Sequence, residues 1–346
     1  MTKLSFQLIC LILTFVLITA ACKKTSDPAP APILKIGLVG GIAGFSDSGF
    51  NQNILSGLQK AAVDFPILCQ SYEVWPGTDF TAGINFFLYH GFDLIITTGF
   101  DASEATLAAV NAHPETDFAI IDFEIPSPPP NLLCIKFDVD QASFPCGFLA
   151  AFWANKQNNV NPVAGFVAGP DIPEIHKFAV SYLHGIEYFN TLYHKNIASI
   201  GYYATSFSDT LQGARLADSL MKKNASVIFA FAGQTGVGTL YKIKEAGKWA
   251  IGVDVDQFYS VPPISSVLLT SCMKRLDVVV YDVLNKYYHQ DFAGGTTIYG
   301  NLNNDGVGLA PFHNYNMLIP DSIKTALTAI ETGIKNGTIP TGWPGK

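Results

Sequence analysis

Charge is scarce in this sequence. Only 14% of its 346 residues are Asp, Glu, Lys or Arg, so a large apolar core is available and disorder is disfavoured. Acidic residues outnumber basic ones 28 to 21, and a net charge of −7 leaves no basic face for a polyanion. That excludes nucleic acid as a partner. Cysteine is scarce as well. Beyond the N-terminal region there are Cys69, Cys134, Cys146 and Cys272. They show no CxxC and no Cys/His ligand spacing, which argues against a metal. Cys134 and Cys146 could pair in an exported protein; buried free thiols are the alternative. Catalytic signatures are also missing. His90, His113, His176, His184, His194, His289 and His313 are scattered outside any HExxH context, and Ser206 has no nucleophile elbow around it. GQTGVG, Gly233 to Gly238, has the spacing of neither a dinucleotide loop nor a P-loop. No cofactor is implied.

The N-terminus carries an address. Lys3 precedes an apolar run, Leu8 to Ile18, and then TAAC. The run is too short for a comfortable membrane span and has the shape of a secretory signal. Cys22 after small residues resembles a bacterial lipobox, with Thr19 where Leu is usual. On this reading residues 1–21 are a signal peptide, Cys22 is lipidated, and 22–33 are a flexible tether. An ordinary signal with a chance Cys is the alternative. The chain is then expected in the cell envelope, anchored to a membrane and facing the periplasm or exterior.

From residue 34 short apolar runs alternate with helical patterns. Strands are expected at 34–39, 94–97, 118–121, 163–167, 197–202, 227–231, 249–253 and 267–270. Between most of them lie apolar residues at helical spacing, such as Ile54, Leu58, Ala61, Ala62 and Phe65. This β-α alternation with doubly buried strands predicts parallel sheets covered on both faces. At 346 residues two lobes are expected: 34–145 with 255–296, and 146–254 with 297–346.

The residues just after each strand are informative. In open α/β sheets ligands collect beyond the carboxyl ends of strands. Asp47, Ser48, Phe50 and Asn51 come after the first strand; Gly99, Phe100 and Asp101 come after LIITT; Asp122 ends FAIID. In the second half Phe207 and Asp209 come after IGYYAT, Gly233 and Gly236 after VIFAFA, Asp254 after WAIGV, and Lys274 after VLLTSCM. Singly these are helix caps, turn glycines or solvated charges. Jointly they suit a flat polar ligand. Phe50 and Phe207 offer ring faces, and Asp122 and Asp254 offer acceptors for a diol.

These stretches also resemble a known family. SDSGFNQ, FAIID, SFSD, AGQTGVG, IGVDVDQ, VLLTSCMKRLD and YGNLNNDGVGLA, in this order over residues 34–340, are similar to the basic membrane protein family of bacterial lipoproteins. These are solute-binding components of ABC importers, several of which bind purine nucleosides. The resemblance implies an α/β fold of the periplasmic-binding-protein type I class, two Rossmann-like lobes joined by a three-crossing hinge. It implies that Phe50 and Asn51 contact a base, that Phe207 stacks on its other face, and that Asp122, Asp254 and Lys274 hold the ribose. The family loop reads close to DDKSFNQ, so one acidic residue, the Lys and the Ser are absent here. The partners implied are a small-molecule nucleoside, an ABC permease and a membrane held through the lipid, with the protein itself a monomer and not an enzyme. A sensor on the same fold is the second reading. A secreted nucleoside hydrolase, which would need an acidic metal site where the first loop offers only Asp47, is the third.

Overall fold

The structure is a computed structural model that describes residues 33–41, 44–75, 79–157 and 160–344. Cys22 and the expected signal peptide lie outside them. In chain order the elements are β1 (Leu34–Gly40), α1 (Phe50–Asp64), β2 (Ile67–Glu73), α2 (Phe80–Tyr89), β3 (Leu94–Thr98), α3 (Ser103–Ala112), β4 (Asp117–Ile121) and β5 (Leu132–Phe137). Then come α4 (Asp140–Lys156), β6 (Val163–Ala168), α5 (Pro173–Tyr193), β7 (Ala198–Tyr203), α6 (Thr210–Lys222), β8 (Ala225–Phe231), α7 (Gly233–Glu245) and β9 (Trp249–Asp254). The chain closes with α8 (Gln257–Ser260), β10 (Leu268–Lys274), α9 (Leu276–Tyr288), β11 (Thr296–Gly300), β12 (Val307–Leu309) and α10 (Asp321–Lys335).

The strands form two six-stranded sheets. One is ordered β11-β5-β4-β3-β1-β2, the other β12-β10-β9-β8-β6-β7. All pairings are parallel except β10 with β12. Position for position the two orders match, so each lobe repeats the plan of the other. Central strands are buried on both faces. On β8, Val227, Phe229 and Phe231 enter one apolar cluster and Ile228 and Ala230 another. Period-two packing on two apolar faces is why such strands read as continuous apolar runs.

The lobe boundaries differ from those the sequence suggests. β10 pairs with β9 in the second sheet, and β11 pairs with β5 in the first. The chain therefore crosses after β5, after β10 and between β11 and β12, near residues 138, 275 and 301–306 rather than at 145, 254 and 296. Pro145 is no boundary. It lies inside α4, which runs through it and packs on α5 in the second lobe. The three crossings lie side by side: Asp138 N–H donates to Gly300 O at 2.9 Å and Arg275 N–H to Gly306 O at 2.9 Å. This is the hinge about which the lobes meet.

Cys134 lies in the first lobe and Cys146 in the second; the four described cysteines are free thiols. Cys146 neighbours Cys272 instead, and burial raises the Cys272 thiol well above its ordinary range.

α4 and α5 approach until backbone meets backbone. A Cβ on Gly147 would lie 1.9 Å from Tyr182 O, and one on Gly185 would lie 2.0 Å from Phe144 O. Only glycine fits at either point. Gly147→Ala or Gly185→Ala is expected to destabilise the protein by about 2–3 kcal/mol, the upper range for overpacking. Thermal or denaturant unfolding checks this, and an unchanged midpoint would contradict the packing.

Candidate functional site between the lobes

The carboxyl ends of both sheets face one cavity of about 380 Å³. That is within the range of small-molecule sites. Phe50, Phe100 and Phe137 come to it from the first lobe, and Phe178, Phe207 and Phe231 from the second.

The loop after β1 is organised by Asp47. Its carboxylate accepts from Gly49 N at 3.0 Å, Asn51 N at 2.8 Å, Gln52 N at 3.0 Å and Asn51 Nδ2 at 3.0 Å. The start of α1 is thus capped from two residues before its N-cap, Gly49. Asp47 was expected to bind ligand. It lines the cavity, but its oxygens are occupied by the helix start. Its effect is to orient Asn51, whose Oδ1 accepts from Gly41 N and Thr98 Oγ1, both at 3.2 Å. One amide hydrogen of Asn51 remains for a ligand.

Asp122, directly after β4, and Asp254, the last residue of β9, stand at the ends of corresponding strands of the two lobes. Both have φ of +65°. Such a backbone is uncommon for a non-glycine residue and tends to be held at functional sites. At Asp254 a three-residue turn, Val255 N–H to Val253 O at 2.8 Å, folds the backbone back and presents the side chain to the cavity.

Two ion pairs cross the cavity in opposite senses. Lys274, the last residue of β10 in the second lobe, pairs with Asp122 of the first. Its ammonium also lies 4.9 Å from the Phe50 ring centroid and 5.1 Å from that of Phe137, within cation–π range. Conversely Lys136 of β5, in the first lobe, pairs with Glu174 of α5 at 3.2 Å. Both lysines are buried. Lys177, one turn beyond Glu174, is pushed below its ordinary range by burial and then by Lys136.

Phe207 sits on the loop after β7. This loop is pinned to α7: Thr235 N–H donates to Phe207 O at 3.0 Å and Thr235 Oγ1 to Ser206 O at 2.7 Å. The ring lies on backbone, since a Cβ at Gly169 would fall 2.2 Å from it. Gly233, at φ +56°, lets α7 begin against the same loop.

The cavity therefore brings together Asp47, Phe50, Asn51, Phe100, Asp122, Phe207, Gly233, Asp254 and Lys274. Gly236 does not reach it. GQTGVG is the opening of α7 and not a loop, and Gly236 is buried in it near the Ala230 carbonyl. Sequence reasoning missed Lys136, Phe137, Glu174, Lys177, Phe178 and Phe231. The first two belong to β5, a strand that was not expected. Glu174, Lys177 and Phe178 lie in the first two turns of α5, and a rule about strand ends does not point to them.

Over residues 38–340 the chain matches the family described as ABC transporter substrate-binding protein PnrA-like. The chain belongs to this family. Among its relatives is the ABC transporter nucleoside-binding protein BmpA of Lactococcus lactis subsp. cremoris, 29% identical over 87% of this chain and 88% of that protein. Basic membrane protein D of Borreliella burgdorferi is 28% identical over 85% of this chain and 84% of that protein. A solved ABC transporter solute-binding protein from Aeropyrum pernix K1 superposes with a TM-score of 0.80, covering 89% of this chain and 93% of that one at 23% identity. The fold is the α/β, periplasmic-binding-protein type I architecture. The chain is a substrate-binding protein of the ABC transporter class. Among the described residues no helix is long and apolar enough to cross a membrane.

Asp254 is the titratable group to watch. Burial, with smaller contributions from Asp122 and Asp47, pushes its carboxyl up to about 7 against the opposing pull of Lys274. A folded-state value above the unfolded one of 3.8 means that the protonated form favours the fold. That contribution is present below the unfolded value and is lost as pH rises through about 7. Asp254→Asn removes the charge. In the ligand-free protein it is expected to raise Tm by about 2–4 °C at pH 8 and by less at pH 5. A gap that does not widen with pH would count against this environment.

Proposed function

We propose that this protein is an extracytoplasmic lipoprotein that captures a nucleoside of the purine class between its lobes and hands it to an ABC importer. The observation that carries the reading is the cavity itself: aromatic rings from both lobes, and two strand-terminal carboxylates held at the same unusual backbone angle. Phe50 and Phe207 take the faces of the base, and the remaining Asn51 amide hydrogen meets its edge. Asp254 and Asp122 accept from the ribose hydroxyls, with Lys274 beside them. The name of the Lactococcus lactis relative, a nucleoside-binding protein, supports the ligand class. Relatives named as lipoproteins in Pyrococcus abyssi and Pyrococcus horikoshii support the anchor at Cys22. The protein holds its ligand and performs no chemistry on it. A phosphate finds poor welcome here, because Lys136 and Lys274 already face carboxylates and Lys177 lies in the field of Asp138 and Asp140.

Calorimetry with adenosine, guanosine, inosine, their free bases and their 5′-monophosphates tests the ligand class. Nucleosides are expected to bind, and monophosphates to bind at least about tenfold more weakly, a difference of about 1.4 kcal/mol. Phe207→Ala is expected to weaken binding by about ten- to a hundredfold, since a base–aromatic stack is worth about 1–3 kcal/mol. pH gives an independent readout. Hydroxyl donors favour the ionised form of Asp254, so binding expels a proton wherever the free protein holds one. Affinity should therefore rise with pH up to the carboxyl value of about 7 and then level off, by up to about tenfold per unit below it. Asp254→Asn should flatten that slope. Equal affinity for nucleoside and base in wild type would sink the ribose assignment.

The anchor has its own test. Cys22→Ser should release soluble protein or leave unprocessed precursor, whereas equal partitioning of variant and wild type into a detergent phase would contradict lipidation.

A further inference from the structure

The GQTGVG opening of α7 holds a residue that the cavity does not use. Gln234, its second residue, donates from Nε2 to the carbonyl of Asp47 at 2.6 Å. Nearby, Ser260 at the end of α8 donates from Oγ to the carbonyl of Ser48 at 2.9 Å. Both donors belong to the second lobe and both acceptors to the first. The acceptors are backbone, so these bonds are indifferent to side-chain identity in the 47–48 segment.

That segment is a wall. Asp47 lines the cavity, while Ser46 and Ser48 line an open groove on its other side, together with Gln234 and Ser260. Neither donor lines the cavity. Ser48 has φ of +54°, so the wall is held in a backbone form that an unattached serine seldom adopts. The carboxylate of the same Asp47 fixes Asn51. One residue is thus gripped by its carbonyl from the second lobe and, through its side chain, orients a cavity residue of the first.

We propose that Gln234 and Ser260 are closure residues. They clamp the 47–48 wall against the second lobe, and so set how fast a captured ligand escapes without touching it. The lobes cannot part until both bonds break. Removing either therefore acts on release and leaves encounter largely alone: the ligand-free chain makes both bonds whenever its lobes meet, whereas a ligand enters through the open form, which lacks them. This inference rests on the nucleoside reading for its binding arm only.

The test is stopped-flow release and uptake of adenosine, guanosine and inosine, with hydrogen exchange of the 44–53 segment in the ligand-free chain. Gln234→Ala and Ser260→Ala are each expected to speed release by about three- to tenfold, the range for one neutral hydrogen bond. Association should change by less than about twofold, within the narrow spread usual for variants of one site. Gln234→Glu keeps the shape but, when ionised, loses the donor and turns a carboxylate on a carbonyl. It should release faster than Gln234→Ala at pH 8, and its ratio to wild type should shrink toward pH 5 as the added carboxyl gains a proton. A merely space-filling role for Gln234 predicts the opposite order. Release rates equal to wild type in both alanine variants overturn the clamp, whatever the exchange shows. If wild type takes up none of the three nucleosides, the nucleoside reading fails. Exchange then decides the clamp alone: faster exchange of 44–53 in the variants supports it, and equal exchange overturns it.

Discussion

Lys274 is the residue on which the cleft depends. It is the last residue of β10, immediately before the chain crosses to the first lobe. Its ammonium is buried, and its carboxylate partner and both its aromatic neighbours belong to the other lobe. A buried ammonium without a partner is costly, and its ion-pair partner reaches it only when the lobes meet. Lys136 repeats the arrangement from the opposite side, reaching from the first lobe to Glu174. Each lobe supplies the cation that the other lobe's carboxylate needs. Separation leaves four charges to be solvated by water, and closure exchanges that water for two pairs.

The matching strand orders explain why the chemistry is doubled. Asp122 directly follows β4 and Asp254 ends β9, equivalent strands in their sheets, and both adopt φ of +65°. Their environments then diverge. Asp122 has Lys274 as a direct partner, whereas Asp254 is buried close to other acids and is driven up to about 7. Two side chains in one structural role therefore meet different electrostatic surroundings. One is held in an ion pair with a lysine of the other lobe; the other is an acceptor whose protonation can answer to the occupant of the cavity.

Much of this was legible in the sequence because the central strands are buried on both sides and announce themselves as apolar runs. The residues just beyond them, Phe50, Asn51, Asp122 and Asp254, could be read by position alone. The edges were not legible. β2 is largely exposed, and β12 is only three residues long. Nor was β5, whose run carries Lys136 and comes after three prolines. Missing β5 hid half of one ion pair. Missing the return of β10 to the second sheet misplaced the boundary at 254. Both errors have one source: strand pairing between distant segments leaves no local periodicity to read. GQTGVG misled for a different reason. Its three glycines suggest a loop, yet α7 begins there because the helix must come within contact of Phe207 and Thr210, where a side chain would collide.

Buried ion pairs cross the cleft beside its aromatic lining, and this bears on how it can be switched. A large hydrophobic seam would hold the lobes shut with or without cargo. Buried ion pairs do not, because the desolvation of each charge nearly offsets the attraction gained. Closure through Lys274–Asp122 and Lys136–Glu174 is therefore specific in geometry but weak in net energy. A ligand shifts such an equilibrium only by the difference in its affinity for the two states. Aromatic faces from both lobes provide that difference, since a planar ligand meets all of them only when the lobes are together. The charges fix which closed arrangement forms, and the rings let the cargo decide when it does.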